Sequence, residues 1–283
     1  MKNFSIKELL KKVYPQRKLW THKGEHGYVL IIAGSKRYSG SPVFNALSAL
    51  RAGADLITIV GPKRAMDIAA SFLPDLICYS LDTDYLEEKH LPEIFKISKN
   101  FNSLIIGGGL GREKKTLKSI LKIIQKIELP MVIDADAIHA LAYKPKILKR
   151  RKAVVTPHLK EFEILTGEKV LPNVSNRKEK VKKWAKKLGT VILLKGHFDV
   201  ISDGYKVFVN KTGCPEMSKG GFGDTLAGIC GAILARNIPP LETAFLSAYI
   251  NGRAGELAAK KYTEGVLASD IFEEIPKVIK GLI

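Results

Sequence analysis

The stretch YVLIIAGSKRYSGSPVFNALSALRAGADLITIV, residues 28–60, joins two uninterrupted apolar runs through a Gly/Ser-rich loop and a helical pattern at 42–54. Uninterrupted runs of this length, rich in β-branched residues, are typical of strands buried on both faces of a sheet. A helix between two such strands forms a βαβ unit, whose strands are parallel. The stretch therefore predicts a parallel sheet covered by helices on both sides.

Strand-like runs and helical patterns continue to alternate along the chain, and the last predicted elements are helices. Two short runs around Asp203-Gly204, within 199–209, predict an antiparallel edge because Asp-Gly favours a hairpin turn. Without an internal repeat or low-complexity linker, we predict one domain over residues 1–283, an α/β fold with a three-layer α/β/α sandwich and a mostly parallel central sheet. The further strands are predicted at 104–109, 131–136, 153–156 and 191–195, and the last helices at 223–236, 240–261 and 267–280.

Composition restricts the class of protein. With 283 residues and 46% hydrophobic residues, the chain is long enough to form a proper core without disulfides or metals. There is no apolar run of about 18 residues that would span a membrane, and the charged N-terminal stretch does not resemble a secretory signal. Three widely spaced cysteines, without CxxC pairing, indicate reduced thiols. We therefore expect a cytoplasmic protein.

The formal net charge of +18 attracts anions in general and does not identify a partner. Much of the excess lies in KPKILKRRK (144–152) and RKEKVKKWAKK (177–187). In the second stretch, Val181 and Trp184 lie on a different helical face from most lysines, so the lysines are expected to face solvent. Neither stretch interleaves aromatic residues as a stacking platform for nucleic acid does, and a nucleic-acid partner is not favoured.

Polar or glycine-rich residues follow five of the predicted strands. In open parallel sheets, ligands bind at the carboxyl ends of the strands. A single glycine-rich exit is also explained by a tight turn, but five exits from one sheet favour a shared ligand cleft. These exits are 34–41, 107–112, Asp134 with Asp136, Thr156-Pro157-His158, and Lys195-Gly196.

The stretch GGFGDTLAG (220–228) places glycines directly before a predicted helix. Backbone N–H groups there converge on an anion, and the helix dipole reinforces the attraction. Asp224, in the first turn, is explained either as a structural dipole partner or as a general base beside a phosphoryl group. No GK[ST] follows the glycines, so the stretch is not a Walker A loop.

GGFGDTLAG resembles the Gly-x-Gly-Asp signature of the ribokinase-like superfamily. Further segments, in the same order, resemble the NAD(P)H-hydrate dehydratase family, and the Thr-Pro-His sequence distinguishes it from vitamin-precursor kinases, which commonly carry Thr-Pro-Asn. The resemblance extends over about residues 22–230. Its other segments are HKGEHGYVLIIAGSKRYSG (22–40), GGGLGR (107–112), VIDADAIHAL (132–141), TPHLKEFEILTG (156–167) and LKGHFDVISDG (194–204).

The resemblance implies an enzyme that returns hydrated NADH or NADPH (NADHX or NADPHX) to the working cofactor. The ring hydroxyl is phosphorylated by ADP, or by ATP in eukaryotic members, and phosphate then leaves. We expect ADP as co-substrate, Mg²⁺ as cofactor, a homo-oligomer, and a separate epimerase in the same pathway, since no epimerase domain precedes the first motif. The motifs do not decide between ADP and ATP or between the two hydrates.

The resemblance also assigns residues to roles. Asp224 is implied as the catalytic base, and Glu161 is implied to orient a water on Mg²⁺. The chain departs from the family pattern in four places: Ser41 stands in place of alanine, Phe222 in place of a small or hydroxylated residue, and Asp199 in place of threonine. The stretch HLKE (158–161) lacks the usual Pro-Gly between histidine and glutamate. The implied substrate contacts are Ser41, Gly109, Gly111, His158 and Asp224; the nucleotide contacts are Lys195, Gly196, His197, Phe198, Asp199 and Gly223; the anion hole is Gly221, Phe222 and Gly223.

Two other functions remain open. A small-molecule kinase of the same superfamily, acting on a thiazole or pyrimidine alcohol, would keep the fold and Asp224 but not require His158. A catalytically silent nucleotide- or nucleic-acid-binding protein would use the basic surface, and its binding to nucleic acid would fall steeply with salt.

Overall fold

Nine strands form one sheet in the order β3-β2-β1-β4-β5-β6-β7-β8-β9, in a computed structural model that describes residues 5–149 and 151–281. Strands β1 to β7 are parallel, and β8 and β9 form the antiparallel edge that the Asp-Gly turn predicts. The strands are β1 (Tyr28–Ile32), β2 (Leu56–Pro62), β3 (Ile77–Leu81), β4 (Ser103–Ile106), β5 (Met131–Ile133), β6 (Ala153–Val155), β7 (Val191–Leu194), β8 (Asp199–Ser202) and β9 (Val207–Asn210).

Helices cover both faces of this sheet. They are α1 (Ile6–Val13), α2 (Gly40–Arg51), α3 (Lys63–Phe72), α4 (Leu91–Ser98), α5 (Lys114–Lys126), α6 (Asp136–Leu141), α7 (Leu159–Thr166), α8 (Val174–Leu188), α9 (Phe222–Ala235), α10 (Pro240–Tyr262) and α11 (Glu274–Lys280). Short 3₁₀ turns lie at Glu88–His90, Pro145–Leu148, Pro215–Met217, Thr263–Gly265 and Ala268–Ile271.

The hydrophobic core has two halves, one on each face of the sheet. Along β1, Val29 and Ile31 belong to the half of the core that also contains residues of α1, α2, α3, α9, α10 and α11. Leu30 and Ile32 belong to the half that contains residues of α4 to α8. Alternate residues of a strand point to opposite faces, so an uninterrupted apolar run belongs in the middle layer. The three-layer α/β/α prediction is confirmed.

The strand order reverses between β1 and β4, because the chain leaves β3 at one edge and returns to the other side of β1. Open α/β sheets bind ligands at such a reversal, outside the carboxyl ends of the strands. Here the loops that follow β1 and β4 lie side by side, and the Gly34 N–H donates a hydrogen bond to the Gly108 carbonyl at 2.8 Å.

The HKGEHG segment (22–27) lies at the opposite, amino ends of the strands. The N–H groups of Gly24 and His26 both donate to Oδ2 of Asp55, each at 2.9 Å, and so hold the loop at the amino ends of β1 and β2. Only the second part of the 22–40 motif, beyond β1, therefore reaches the carboxyl ends of the strands.

Some predicted boundaries were wrong. Strand β3 was missed because it is an edge strand whose residues are mostly exposed, and it lacks a fully apolar run. The predicted strands 104–109 and 131–136 end three residues early, where Gly107 (φ 133°) and Ala135 (φ 47°) turn the backbone. The predicted helix 267–280 is broken before α11, because Pro276 lacks an N–H and belongs in a first turn.

The prediction for the basic helix was right for the core-facing residues. In α8, Val181 and Trp184 are buried, and most lysines are at least partly exposed. Arg177, at the start of the same stretch, is instead only 4% exposed. Among the described residues, no helix is both long and apolar enough to cross a membrane.

Helices α2 and α9 pack closely through Gly228. A Cβ at Gly228 would overlap the Ser48 hydroxyl and the Asn45 carbonyl. We therefore expect Gly228→Ala to lower the free energy of unfolding by about 1–2 kcal/mol, since overpacking costs about 1–3 kcal/mol and the better helix propensity of alanine returns up to about 1 kcal/mol. Denaturant unfolding measures the change.

Gly265→Ala is the matched control, because a Cβ at Gly265 meets nothing within 4 Å. Equal stability of the two variants would contradict the close packing of α2 against α9.

Candidate active site

Two cavities lie side by side at the carboxyl ends of the strands and share Ser41. The larger has a volume of about 880 Å³ and the smaller about 460 Å³. The larger is lined by ten of the residues predicted from the sequence, namely Ser41, His158, Lys195, Gly196, His197, Asp199, Gly221, Phe222, Gly223 and Asp224. The smaller is lined by Ser41, Gly109 and Gly111. Of the predicted residues, Glu161 and Phe198 line neither cavity.

Asp224 lies in the first turn of α9, near the junction of the two cavities. The Ser41 hydroxyl donates a hydrogen bond to Oδ2 of Asp224 at 3.2 Å. The other carboxylate oxygen lies over Gly108, where a Cβ would be only 2.8 Å from Oδ1. The second glycine of the GGG run thus leaves room for the carboxylate.

The Asp224 carboxyl group has an unusual protonation equilibrium. Burial raises its pKa from 3.8 to about 7, and the nearby negative charge of Asp134 acts in the same direction. The Ser41 hydrogen bond and the Lys195 charge oppose this rise but do not cancel it. A carboxyl group with a pKa near neutral pH is well matched to accept a proton from a hydroxyl.

The turn before α9 requires glycine. Gly221, the N-cap residue, has φ 97°, and a Cβ there would lie 2.7 Å from Cβ of Ala268. The first N–H groups of the helix, at 222–224, have no carbonyl partner within the helix, and such groups bind anions. The Phe222 side chain is 5% exposed and packs into the core, so this departure from a small residue leaves the backbone donors in place.

Lys195 lies beside this turn and is held by two carboxylates. Its Nζ is 2.8 Å from Oδ1 of Asp134 and 3.9 Å from Oε2 of Glu161, and it would be 3.2 Å from a Cβ at Gly223. Burial alone would lower the pKa of Lys195, but Asp134 and Glu161 outweigh it and keep the pKa raised. A partly buried, charged ammonium group therefore lies next to the anion-binding turn.

His158 and Glu161 form a reciprocal cap at the start of α7. The His158 N–H donates to Oε2 of Glu161 at 2.8 Å, and the Glu161 N–H donates to Nδ1 of His158 at 3.3 Å. The imidazole remains about half exposed and faces the larger cavity, whereas Glu161 is 4% exposed. Burial raises the pKa of Glu161. His158 therefore caps α7 and lines the larger cavity at the same time.

The carboxylates of Asp134 and Glu161 suit a magnesium ion that keeps several of its water ligands. Across residues 5–149 and 151–281, no three His, Cys, Asp or Glu side chains converge to enclose a metal ion. Magnesium does not need such a cage, since it keeps several waters and is commonly bound through one or two carboxylates and substrate phosphates. Glu161 and Asp134, which flank Lys195, are compatible with this mode.

Arg177 holds the backbone of the predicted nucleotide-binding segment, residues 195–199. Its guanidinium donates at 3.1 Å to the carbonyl groups of Leu194, Lys195 and Phe198. A Cβ at Gly196 would lie 2.6 Å from this guanidinium, so the segment needs glycine there. Arg177 was not predicted as a site residue, because in the sequence its charge matched that of the surrounding lysines.

Asp199 is occupied by contacts within the protein. Its Oδ1 accepts from the Gly196 N–H and its Oδ2 accepts from Nδ2 of Asn210, both at 3.1 Å. Burial raises the pKa of this carboxyl group. The adjacent His197 and Phe198 rings pack on each other, with centroids 4.3 Å apart. The carboxylate therefore closes the 196–199 turn, beside the cavity that it lines.

Asp134 and Asp136 were recognised only as strand exits, although both organise the site. Oδ2 of Asp136 accepts from the Gly111 N–H at 2.9 Å, and Oδ1 accepts from Nε of Arg112 at 2.8 Å. Ala135 between them has φ 47°, a strained value for a residue with a Cβ. This kink directs Asp134 toward the larger cavity and Asp136 toward the smaller one.

Comparison with known proteins identifies the family of this chain. A family model described as NAD(P)H-hydrate dehydratase matches residues 29–277. The chain belongs to the NAD(P)H-hydrate dehydratase family. The resemblance inferred from the motifs is thereby confirmed, including the preference for this family over the vitamin-precursor kinases.

Two curated relatives illustrate the family. The bifunctional NAD(P)H-hydrate repair enzyme Nnr of Pyrobaculum aerophilum is 43% identical over 267 residues, which cover 93% of this chain and 52% of that protein. The chain spans about half the length of the first three curated relatives that it matches. The ADP-dependent (S)-NAD(P)H-hydrate dehydratase of Cenarchaeum symbiosum is 36% identical over 96% of this chain and 94% of its own length.

Solved structures share the fold. The ADP/ATP-dependent NAD(P)H-hydrate dehydratase of Bacillus subtilis, co-crystallised with ATP and Mg²⁺, is 26% identical with a TM-score of 0.81, covering 98% of this chain and 97% of its own. The hydroxyethylthiazole kinase of Pyrococcus horikoshii is 18% identical with a TM-score of 0.66, covering 98% and 95%. The second similarity concerns the fold alone. The ribokinase-like fold expected from the glycine-aspartate motif is confirmed.

The raised pKa of Asp224 predicts a pH-dependent effect of Asp224→Asn on stability. The folded protein holds this proton up to about pH 7, whereas the unfolded chain releases it near pH 3.8. Wild type therefore loses stability as pH rises through this window, and the asparagine variant does not. We expect the variant to gain on the order of 3 kcal/mol over wild type between about pH 5 and about pH 8.

Denaturant unfolding at the two pH values measures this gain. Asp75→Asn, at an exposed position, is the matched control and should follow wild type at both values. A constant difference between wild type and Asp224→Asn would show that the Asp224 pKa is not raised.

Proposed function

We propose that this chain catalyses the nucleotide-dependent dehydration of NADHX and NADPHX, and so repairs the nicotinamide cofactors. The observation that carries the proposal is the position of Asp224. Its carboxyl group, with a pKa of about 7, lies beside an anion-binding turn and near the junction of two cavities. Family membership supports this activity, and relatives from Cenarchaeum symbiosum and Nitrosopumilus maritimus carry the name ADP-dependent (S)-NAD(P)H-hydrate dehydratase.

The proposed reaction has two steps. Asp224 removes the proton from the ring hydroxyl of the hydrate as that oxygen attacks the terminal phosphorus of the nucleotide. The bond from this phosphorus to the bridging oxygen breaks, and the N–H groups at 222–224 stabilise the charge on the transferred group. The ring C–O bond then breaks, phosphate departs with its electron pair, and loss of a ring proton restores the double bond. Phosphorylation is needed because hydroxide is a poor leaving group.

The two cavities suit the two substrates. We propose that the larger cavity takes the nucleotide, with its phosphates near Lys195 and Gly223 and its nucleoside near Gly196–Asp199. The hydrate then contacts Ser41, Gly109, Gly111 and His158 between the cavities. Lys195 is a suitable phosphate ligand because its raised pKa keeps it charged at neutral pH. In this scheme Asp199 acts by closing the 196–199 turn.

Mg²⁺ is proposed as the cofactor, with Glu161 orienting a water on the ion and Asp134 nearby. When bound, the ion neutralises charge between the nucleotide phosphates. The protein contributes the buried position of Glu161 and the reciprocal cap with His158, which together fix the direction of the carboxylate.

ADP is the favoured phosphoryl donor. The names of the Cenarchaeum and Nitrosopumilus relatives support this choice, whereas the Bacillus enzyme is named ADP/ATP-dependent. We further propose that the dehydratase works in the cytoplasm as a homo-oligomer, and that an epimerase of the same pathway supplies the hydrate epimer that this site accepts. These last proposals follow from the family resemblance.

Incubation of the protein with NADHX or NADPHX, Mg²⁺ and ADP or ATP tests the function. We expect the absorbance of the reduced nicotinamide to return and inorganic phosphate to appear in equal amount. Asp224→Asn should lower the rate by about 100-fold or more, the usual contribution of a general base. Asp75→Asn should retain the wild-type rate, because its side chain is exposed.

The kinase alternative predicts a different product. A thiazole or pyrimidine alcohol would be converted into a stable phosphate ester, without recovery of nicotinamide absorbance. Absence of recovery with both nucleotides, together with formation of such an ester, would replace the proposed dehydratase by a kinase.

Gly108→Ala tests whether the GGG run makes room for the base. A Cβ at this position would lie 2.8 Å from Oδ1 of Asp224 and 3.0 Å from Cβ of Ser41, so the carboxylate must move. We expect kcat to fall by about 10-fold or more, since small displacements of a reacting group are costly. Steady-state kinetics measure this, with Gly265→Ala as the open-space control. Unchanged kcat in Gly108→Ala would contradict the proposed position of the base.

A further inference from the structure

Helix α2 reaches Asp224 through two polar side chains that lie four residues apart. The Ser41 hydroxyl donates to Oδ2 of the Asp224 carboxylate at 3.2 Å, and Nδ2 of Asn45 donates to the Asp224 main-chain carbonyl at 2.8 Å. Residues at this spacing share one face of a helix. One face of α2 therefore contacts both the side chain and the main chain of Asp224 on α9.

Asn45 occupies an unusual environment for an amide. The residue is 1% exposed, and within the part of the chain that the structure describes, its Oδ1 has no hydrogen-bond partner. An unpaired buried polar atom is costly, so this amide is a poor choice for stability alone. Its Oδ1 and the Oδ1 of Asp224 both face Gly108, at 3.4 Å and 2.8 Å from the Cβ position of that glycine.

The close approach of the two helices makes both contacts possible. Gly228, one turn beyond Asp224, allows α9 to lie against the main chain of α2 at Asn45. Without this approach, the short side chains of Ser41 and Asn45 could not span the gap between the helices.

We propose that Ser41 and Asn45 are positioning residues that orient the Asp224 carboxylate for proton removal. Asn45 fixes the first turn of α9 through the carbonyl, and Ser41 occupies Oδ2, so that Oδ1 over Gly108 is the oxygen that accepts the proton. This inference rests on the proposed role of Asp224 as the base. It also gives Ser41 a second role beside the proposed substrate contact.

The Ser41 and Asn45 contacts shift the pKa of the Asp224 carboxyl group in opposite directions. The Ser41 hydroxyl donates to the charged form and therefore favours ionisation. The Asn45 amide keeps the carboxylate in its buried position, which disfavours ionisation. The other charged groups that act on Asp224 are Asp134 after β5, Asp136 at the start of α6, and Lys195 after β7.

The test follows the Asp224 carboxyl group by NMR in protein labelled with ¹³C at aspartate carboxyl carbons, with Asp224→Asn identifying the resonance. We expect Ser41→Ala to raise the titration midpoint by about one pH unit, since a hydrogen bond to a charge is worth about that much. Asn45→Ala should lower the midpoint, because the freed carboxylate moves toward water. In both variants kcat should fall about 10-fold or more, while the KM of the nucleotide changes less than about twofold.

Ser103→Ala is the matched control. Ser103 is buried, and its hydroxyl donates to the Gly231 carbonyl of the same helix at 2.8 Å, two turns beyond Asp224. This variant loses a comparable contact to α9 and should move neither the titration midpoint nor kcat. A general loosening of α9 would instead make all three variants alike.

Midpoints that move in the same direction in Ser41→Ala and Asn45→Ala, or that do not move, overturn the positioning role even in an active enzyme. Inactivity of wild type toward both hydrates overturns the proposed function and leaves the titrations interpretable. The two failures are therefore distinguishable.

Discussion

The site depends on one carboxylate that is buried at the first turn of a helix. Water is scarce there, and backbone N–H groups converge. Asp224 is held in that position by the close packing of α2 against α9, which depends on Gly228 having no side chain. The same packing brings Ser41 and Asn45 within hydrogen-bond distance of Asp224. The position of the Asp224 carboxylate and its two contacts with α2 follow from this packing of helices, whereas Gly108 leaves room for Oδ1 and Gly221 shapes the anion-binding turn.

The balance of charge around the turn explains why Asp224 titrates near neutral pH. Lys195 lies among several carboxylates, but its closest partner is Asp134 at 2.8 Å, with Glu161 at 3.9 Å. The charge of Lys195 therefore lowers the pKa of Asp224 only in part, and burial raises this pKa to about 7. A fully paired aspartate would be more stable but a weaker base. The raised pKa of Asp224 therefore costs the folded state some stability, a cost that functional sites commonly carry.

Several residues around the site act by holding the backbone. Arg177 gathers three carbonyl groups behind the 194–198 segment, and Asp136 fixes the loop at Gly111. Asp199, which departs from the family pattern, closes its own turn through the Gly196 N–H. Such contacts keep glycine-rich loops rigid although glycine itself favours freedom. Rigid loops can present N–H groups to a phosphate without paying for their ordering during the reaction.

The sequence determined the layers, the parallel sheet and the identity of the glycine-aspartate turn, because hydrophobic periodicity and the conformational preferences of glycine act over a few residues. It did not reveal edge strand β3, whose exposed residues lack that pattern. Only the tertiary structure decided the contacts of Asp224, since Ser41 and Asn45 lie 183 and 179 residues away along the chain. The kink at Ala135 and the burial of Arg177 were equally hidden. No local pattern encodes such contacts, because they arise from the way α2, α9 and the strand ends pack together.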